Sequence, residues 1–333
     1  MFALSFSKFF LFPGIIFVVY AGLTSVWLLR KLTARMENRV GPPFNQPLFD
    51  FAKIMAKERV YAYETSKNFI HYLPRLQVIL AILMSFFIPI YKEEGLISFE
   101  GDIYIFLFLL ALHGSSVYFI GWASRNPYSL SGSGRALLTE ISFEIPIAIS
   151  IAGISILTKS MQISKMDMAS VLNDESSDLG IIFYILIWIS LISTVLICTL
   201  GALELNPFSA AHAETEIVAG WKTELTGSDL AMTVLADAIN VFNLAALSAT
   251  IFFGGPKEII DAGDATYEII ISSGLSFVLF LMELVVIIFI IAYLKTVLSR
   301  LRVDQSTEFL WRYILPISII NLFAIIFAIY LEV

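Results

Sequence analysis

Apolar stretches alternate with short polar blocks along the whole chain, and most of the apolar stretches are about as long as a lipid bilayer is thick. A hydrocarbon core about 30 Å thick needs about 20 apolar residues per helix. The pattern predicts membrane spans near residues 9–29, 76–91, 103–123, 141–157, 180–201, 230–253, 275–294 and 314–331. We therefore expect an all-α integral membrane protein with about eight transmembrane helices, forming a single polytopic domain over residues 1–333.

The composition agrees with lipid as the solvent and excludes several functions. Hydrophobic residues make up 58% of the chain and charged residues 15%, whereas soluble domains carry about 25% charged residues. The single cysteine, Cys198, cannot form an internal disulfide or a cysteine-rich metal or iron–sulfur site. The sequence has no Rossmann or P-loop glycine pattern, and its net charge of −7 argues against a nucleic-acid partner. We expect no catalytic residue, cofactor or metal in this chain.

The distribution of lysine and arginine predicts the orientation. Loops 30–75, 124–140, 202–229 and 295–313 hold 16 basic residues, whereas the N-terminus and the remaining loops hold 5. Basic residues concentrate on the cytoplasmic side of membrane proteins. We therefore expect a multi-pass protein of the cell membrane with both termini outside. The acidic residues of the outer loops, Asp102 and Asp167 among them, are expected to be solvated.

The first of these basic loops contains a segment with helical spacing of apolar residues. From Gln46 to Val60, Leu48, Phe51 and Met55 fall on one face, and most of the charged residues fall elsewhere. This pattern predicts an amphipathic helix that lies in the membrane interface or against a partner.

Several ionisable residues fall where lipid is expected. Glu140 and Glu144 are four residues apart at the start of the fourth span, and Asp237 and Glu283 lie inside the sixth and seventh. A carboxylate in hydrocarbon costs several kcal/mol, so such residues often mark ion paths. The alternative is a hydrogen-bonded structural carboxyl. We interpret His113, in the third span, as a structural histidine.

The loop over residues 203–229 departs from the basic character of its side of the membrane. It contains one lysine, Lys222, and four glutamates, Glu204, Glu214, Glu216 and Glu224. Carboxylates close together near a membrane have coupled protonation, which suits proton handling. His212 and Glu216 are four residues apart, but two ligands without a third make a weak metal site.

Four segments resemble, in chain order, conserved stretches of the NuoH family, the heel subunit of respiratory complex I and of related membrane-bound hydrogenases. The resemblance covers nearly the whole chain. The matching segments are Arg30-Lys31 to Lys57-Glu58, Gly121 to Ser124 with Arg135-Ala136 and Ser142 to Pro146, Asn206-Pro207-Phe208 with Ala213 to Gly220 and Thr223 to Gly227, and Arg300 to Gln305.

The resemblance implies an anchor between a peripheral redox arm and the membrane arm of a larger complex. Its partners would be peripheral iron–sulfur and hydrogenase-like subunits and antiporter-like membrane subunits, with the iron–sulfur clusters held by the partners. By motif and by position in the spans, the expected ion-path residues are Glu140, Glu144, Glu214, Glu216, Glu224, Asp237 and Glu283. The residues expected near the arm are Arg35, Arg39, Lys53, Glu58, Arg135 and His212.

The third matching segment differs from quinone-reducing members at positions that matter for the substrate. Leu205 replaces an arginine, Ser209 an aspartate and His212 a glutamate. These losses favour a ferredoxin-oxidising, ion-translocating complex without quinone, such as a membrane-bound hydrogenase or a sulfane sulfur reductase, with H⁺ or Na⁺ as the pumped ion. The alternatives are the quinone-site subunit of an NADH or ferredoxin:quinone oxidoreductase, a stand-alone secondary transporter, and a purely structural scaffold.

Overall fold

The computed structural model describes residues 9–63, 65–92, 94–174, 178–257 and 266–330, and within these ranges it contains helices and turns but no strand. The α-helices are α1 (Ile15–Met36), α2 (Gln46–Met55), α3 (Lys67–Ser85), α4 (Asp102–Ala123), α5 (Pro127–Leu157), α6 (Met168–Asp174), α7 (Asp178–Ala202), α8 (Glu214–Ile217), α9 (Gly227–Phe253), α10 (Thr266–Val297), α11 (Val303–Phe309) and α12 (Leu315–Tyr330). A π-turn, Leu310–Ile314, joins α11 to α12.

The all-helical membrane fold predicted from the apolar pattern is confirmed. Seven helical segments of the described chain are long and apolar enough to cross a membrane. They are Ile15–Met36, Asp102–Ala123, Pro127–Leu157, Ile182–Ala202, Gly227–Phe253, Ser272–Val297 and Val303–Tyr330. The one predicted span outside these seven is the second, which corresponds to α3; this helix is 19 residues long but contains too many polar residues to meet the same standard.

The boundaries predicted for the second span, 76–91, were wrong. Helix α3 begins at Lys67 and ends at Ser85. Its first turns contain the polar residues His71 and Arg75, and Arg75 forms an ion pair with Asp229 of α9 at 3.1 Å. The apolar residues that follow Ser85, such as Phe86 and Ile88, are buried in turns rather than in a helix.

Two other segments also differ in length from the prediction. Helix α5 begins at Pro127, before the predicted start at 141, because Asn126 caps it by accepting a hydrogen bond from the backbone N–H of Tyr128 at 2.9 Å. The amphipathic helix of the first loop exists as α2 but ends at Met55, short of Val60. Its location at the membrane interface stays a prediction.

Helix α9 is the centre of the bundle and packs against α1, α3 and α10. Most of its length is buried, which agrees with its many alanines. The backbones of α1 and α9 approach closely at Gly22, where an added Cβ atom would lie 2.9 Å from the Cα atom of Ile239. Small residues at such contacts allow membrane helices to pack tightly.

The expectation that the acidic residues of the outer loops are all solvated was wrong for two of them. Asp102 is fully buried and accepts a hydrogen bond from the backbone N–H of Ile163 at 2.8 Å. Asp167 is buried and forms an ion pair with Lys257. Both carboxylates hold loop segments together, since buried polar groups require such partners.

Candidate functional site

A cavity of about 340 Å³ lies where α1, α4, α5 and α9 meet the loop after α7. Its wall contains an unusual number of ionisable side chains for a site inside a helical bundle. These are Arg30, Asp50, His113, Glu140, Glu204, His212, Lys222, Asp237 and Lys295.

Glu204 carries the first of two charge pairs in the cavity wall. One of its carboxylate oxygens lies 2.5 Å from Nε2 of His212 and accepts a hydrogen bond from the indole N–H of Trp221 at 3.2 Å. Burial alone would raise the pKa of Glu204, but the charges of His212 and Lys222, together with these hydrogen bonds, lower it to about 2. Glu204 is therefore a fixed negative charge at neutral pH.

The second pair joins the loop to helix α9. The Lys222 ammonium donates to Oδ2 of Asp237 at 2.6 Å and lies 4.7 Å from the centre of the Trp221 ring. Burial alone would lower the pKa of Lys222, but the carboxylates of Asp237 and Glu204 outweigh burial and raise it. Lys222 is therefore a fixed positive charge between two carboxylates, and Asp237 is tied to the loop rather than to another helix.

This geometry depends on how closely the loop packs on α5. Gly220 has a φ of 60°, which favours glycine, and its backbone lies against Gly132 of α5, where an added Cβ would be 2.8 Å from the Gly220 Cα. The Ser129 hydroxyl donates to the carbonyl of Trp221 at 3.1 Å. Trp221 is consequently buried, which places its neighbour Lys222 over the cavity.

Four further polar side chains, in the cavity wall or next to it, have fewer partners. The amide of Asn240 lies 3.0 Å from the His113 ring. Oε1 of Glu140 and Oε1 of Glu144 are buried and have no hydrogen-bond partner among the described residues. The carboxyl of Glu140 lies against Gly114 of α4, where even a methyl group would collide with it.

The structure brings some of the predicted ion-path residues together and separates others. Glu140 and Asp237 both line the cavity, and Glu144 lies one turn beyond Glu140 on α5. Glu216 is exposed and is paired with Arg135 at 2.6 Å. Glu224 accepts a hydrogen bond at 2.5 Å from the Asn126 side chain.

Two further ion-path predictions fall elsewhere. Glu283 of α10 lies away from the cavity, near the backbone of Gly255, and its buried Oε2 has no partner within the described part of the chain. The side chain of Glu214 lies outside the described residues.

The residues predicted near the peripheral arm divide into two groups. Arg35, Arg39, Lys53 and Glu58 are exposed. His212 instead lies in the cavity wall beside Glu204, and Arg135 is half-buried beside Glu216.

A set of contacts that sequence reasoning missed joins the first loop to the start of α9. The backbone N–H and carbonyl of Val60 both bond to the hydroxyl of Thr226 at 2.9 Å. The Tyr61 hydroxyl donates to the fully buried Asp229 at 2.6 Å, and Arg75 pairs with the same carboxylate. Hydrogen bonding to Asp229 and burial raise the pKa of Tyr61, with burial the larger cause. We call Val60, Tyr61, Arg75, Thr226 and Asp229 the loop clamp.

A metal site finds no support in the described side chains, where no group of three or more histidine, cysteine, aspartate or glutamate residues could hold an ion. His212 and Glu216 face different partners, Glu204 and Arg135. One feature of the sequence indicated that charged residues pair in the cavity wall. The loop over residues 203–229 contains a single lysine among four glutamates.

Comparisons with known proteins agree with this architecture. A family model described as NADH dehydrogenase matches residues 9–326. Two relatives, both named as subunits of NADH-quinone oxidoreductase, come from Dehalococcoides mccartyi strain ATCC BAA-2266 / KCTC 15142 / 195 and strain CBDB1. They are each 28% identical to the chain, over 313 and 316 residues. Each match covers 92% of this chain and 82% of the relative.

The fold is also found in a solved respiratory complex. A chain in the structure of the membrane-bound sulfane sulfur reductase, an archaeal respiratory membrane complex, matches with a TM-score of 0.77 at 21% identity. The match covers 93% of this chain and 96% of that chain. Together with the apolar helices, these matches show a multi-pass membrane protein whose relatives belong to multi-subunit respiratory complexes. The chain belongs to the NADH dehydrogenase (NuoH) family.

Proposed function

We propose that this chain is the membrane anchor and coupling subunit of a ferredoxin-oxidising, ion-translocating complex related to complex I. The observation that carries the proposal is the order of charges in the cavity. Fixed charges of the loop, Glu204 and Lys222, connect through Asp237 to a cavity that Glu140 also lines. Glu140 and Glu144 then continue along α5 with buried oxygens that lack partners among the described residues.

Such an arrangement can couple a redox event to protonation. A change of charge or position in the loop would alter the field at Asp237 and Glu140, because the interior of the bundle screens charges less than water does. The protonation of Glu140 and Glu144 would shift in response, as a population shift between states of the same protein. The carboxylates themselves would carry either H⁺ or Na⁺ toward antiporter-like neighbours.

The partners in this proposal follow from the exposed charges. Peripheral iron–sulfur and hydrogenase-like subunits would bind the side that exposes Arg35, Arg39, Lys53 and Glu58, and the basic residues favour the cytoplasm for that side. The iron–sulfur clusters would belong to those partners, and this chain would act through position and charge alone.

The cavity wall supports a complex that does not reduce quinone. His212, which stands where quinone-reducing members carry a glutamate, is engaged by Glu204 rather than left free for a ligand. The similarity of fold to a chain of the sulfane sulfur reductase complex supports the same branch.

The test is to uncouple ion movement from electron transfer. In the purified complex, Glu144→Gln should keep ferredoxin oxidation in the presence of an uncoupler and lose most of the ions moved per electron in proteoliposomes. Glu308→Gln, an exposed carboxylate paired with Arg312, is the matched control and should pump normally. Normal pumping by both Glu140→Gln and Glu144→Gln would leave a structural scaffold as the function.

A quinone-site role is the second candidate, because part of the cavity wall is apolar and the relatives are named as parts of an NADH-quinone oxidoreductase. Quinone-dependent turnover and sensitivity to quinone-site inhibitors would establish it. Ferredoxin oxidation that proceeds without added or bound quinone would exclude it.

A further inference from the structure

A cluster of buried amide side chains lies between α3, α4 and α9, beside the cavity. Gln77 of α3 and Asn243 of α9 are fully buried, and Asn240 of α9 is 2% exposed. Asn240 and His113 of α4, whose ring lies 3.0 Å from the Asn240 amide, both line the cavity and join the cluster to it. We call Gln77, Asn240 and Asn243 the amide cluster.

The contacts between α3 and α9 place these amides near one level of the bundle. The loop clamp joins α3 to the start of α9, and the Asn243 amide nitrogen donates to the carbonyl of Ala81 at 2.7 Å, further along both helices. The two helices therefore run parallel. Gln77 precedes Ala81 by one turn and lies on the same face of α3. Asn240 likewise precedes Asn243 by one turn, so the amides of Gln77 and Asn240 lie at similar heights on helices that pack together.

The amide cluster has more polar atoms than partners. Oδ1 of Asn243, Oδ1 of Asn240 and both polar atoms of the Gln77 amide are buried and have no hydrogen-bond partner among the described residues. The bond to Ala81 fixes the orientation of the Asn243 amide, because the reversed amide would place two oxygens together. Buried polar groups almost always have a partner, and ordered water supplies one where the protein does not.

Water meets these needs better than a cation does. The amide oxygens require donors, whereas Nε2 of Gln77 is itself a donor and requires an acceptor. A water molecule both donates and accepts, but a cation is repelled by an N–H group. None of the three residues of the cluster carries a negative charge that would hold a cation in the interior of the bundle.

We propose that the amide cluster binds at least two ordered water molecules, which connect it through Asn240 to the cavity. The oxygens of Gln77, Asn240 and Asn243 require three hydrogens, and one water molecule donates two at most, so two waters are the minimum. One of them accepts from Nε2 of Gln77. The waters extend the hydrogen-bonded wall of the cavity by one turn along α9 and link α3 to it. Their binding requires neither ferredoxin nor quinone, so it can be tested apart from the proposed function.

The experiment is a cryo-EM map of the whole purified complex at a resolution that shows ordered water. Wild type should show at least two density peaks within hydrogen-bond distance of the amide cluster, at the Gln77 amide and at Oδ1 of Asn243. A Gln77 amide bonded directly to Asn240 or Asn243, with no peak between them, would overturn the site.

A second map identifies the occupant. The complex is prepared with potassium in place of sodium throughout, and bound water predicts the same peaks at the same positions. Peaks that disappear without sodium would overturn the water site and show a sodium site in its place.

A stability measurement on Gln77→Met distinguishes a wet cluster from a dry one. Removing unpaired polar atoms from a dry site stabilises a protein, whereas removing them from a site that holds water leaves Oδ1 of Asn243 with fewer donors. We expect the peak at residue 77 to be lost and the thermal midpoint of the complex to fall by about 2–4 °C, the shift for about one lost hydrogen bond.

The matched control is Leu80→Met, which changes a buried apolar residue of the same helix and conserves its volume. It should keep both peaks and change the midpoint less than Gln77→Met does. A midpoint of Gln77→Met above that of wild type would overturn the site, because it would show that the amide is buried without a partner.

Discussion

The carboxylates near the polar loops and the carboxylates of α5 differ in their partners. Glu204 is paired with His212, and Asp229 and Asp237 are each bound to a cation, Arg75 and Lys222 respectively. Glu140 and Glu144 each leave a buried oxygen with no protein partner within the described chain. Both groups are carboxylates that lie within one bundle.

This difference in partners indicates a different role for each group of carboxylates. A buried carboxylate with a cation beside it keeps its charge and holds segments together, because loss of either partner leaves the other charge uncompensated. A carboxylate without a cation beside it is compensated by a neighbouring acid, as Glu140 and Glu144 are by their shared hydrogen bond, by water or by a bound ion, so its state can change during turnover. The paired group therefore positions the site, and the unpaired group is the place to look for ion movement.

The largest effect is expected at the loop clamp. Arg75→Met removes the arginine from Asp229, which is fully buried, and leaves the Tyr61 hydroxyl and His71, whose Nδ1 lies 3.6 Å away, as its neighbours. Breaking a buried pair in this way costs about 3–5 kcal/mol, so we expect little assembled complex and a lower thermal midpoint. The double variant Arg75→Met with Asp229→Asn should recover part of the loss. Normal stability of the single variant would show that this pairing does not position the loop.

Lowering the pH should distinguish the role of Glu204 from that of Glu140 and Glu144. The folded-state pKa of Glu204, about 2, lies below its ordinary value of 4.5. Its ionised form therefore contributes stability that is complete above pH 4.5 and is lost as the pH falls from 4.5 to 2, up to about 3 kcal/mol. The thermal midpoint of wild type should fall more between pH 6 and pH 3.5 than that of Glu204→Gln. Parallel falls in the two proteins would contradict a fixed charge at Glu204.

A pair of glycine variants tests the unpaired group without removing any charge. A Cβ atom at Gly114 would collide with the Glu140 carboxyl, whereas one at Gly134 of α5 would meet open space. Overpacking of this kind costs about 1–3 kcal/mol. Gly114→Ala should lower the number of ions moved per electron, and Gly134→Ala should not. Equal coupling in both would mean that the position of the Glu140 carboxyl does not matter.

The smallest effect is expected at Glu216. Its side chain is half exposed and its pairing with Arg135 is open to solvent, although this pairing lowers the pKa of Glu216. Salt screens such pairs, and most contribute little. Glu216→Gln should therefore change pumping less than twofold, measured at low and at high salt beside Glu144→Gln. A loss of coupling as large as that of Glu144→Gln would move Glu216 into the group that carries ions.

The sequence predicted the helices where burial in lipid alone decides the structure. Spans such as α4, α9 and α10 are mostly apolar, and the structure has a helix long enough to cross a membrane at each of these positions. The predicted bounds of α3 were displaced because its polar first turns are stabilised by Asp229. Asp229 lies about 150 residues further along the chain, so the local sequence pattern contains no sign of this contact.

The candidate site likewise has features that could be predicted from the sequence and features that could not. Glu140, Glu144 and Asp237 could be identified because a carboxylate inside an apolar run is conspicuous. The pairing of Lys222 with Asp237, and of His212 with Glu204, could not, because it depends on the contact of Gly220 with Gly132 that folds the loop onto α5.

The loop clamp also imposes an order on the assembly of the chain in the membrane. Val60 and Thr226, which it joins, are separated by 166 residues. At the usual speed of synthesis, the ribosome needs roughly 8 to 33 s to make that length of chain. During this interval the first loop has been made and can contact α1, as Asp50 does through Arg30, but Thr226 and Asp229 are not yet available to it. The first loop can adopt its final position only when the start of α9 has left the ribosome, so the surface that would receive the peripheral arm is among the last parts of the protein to form.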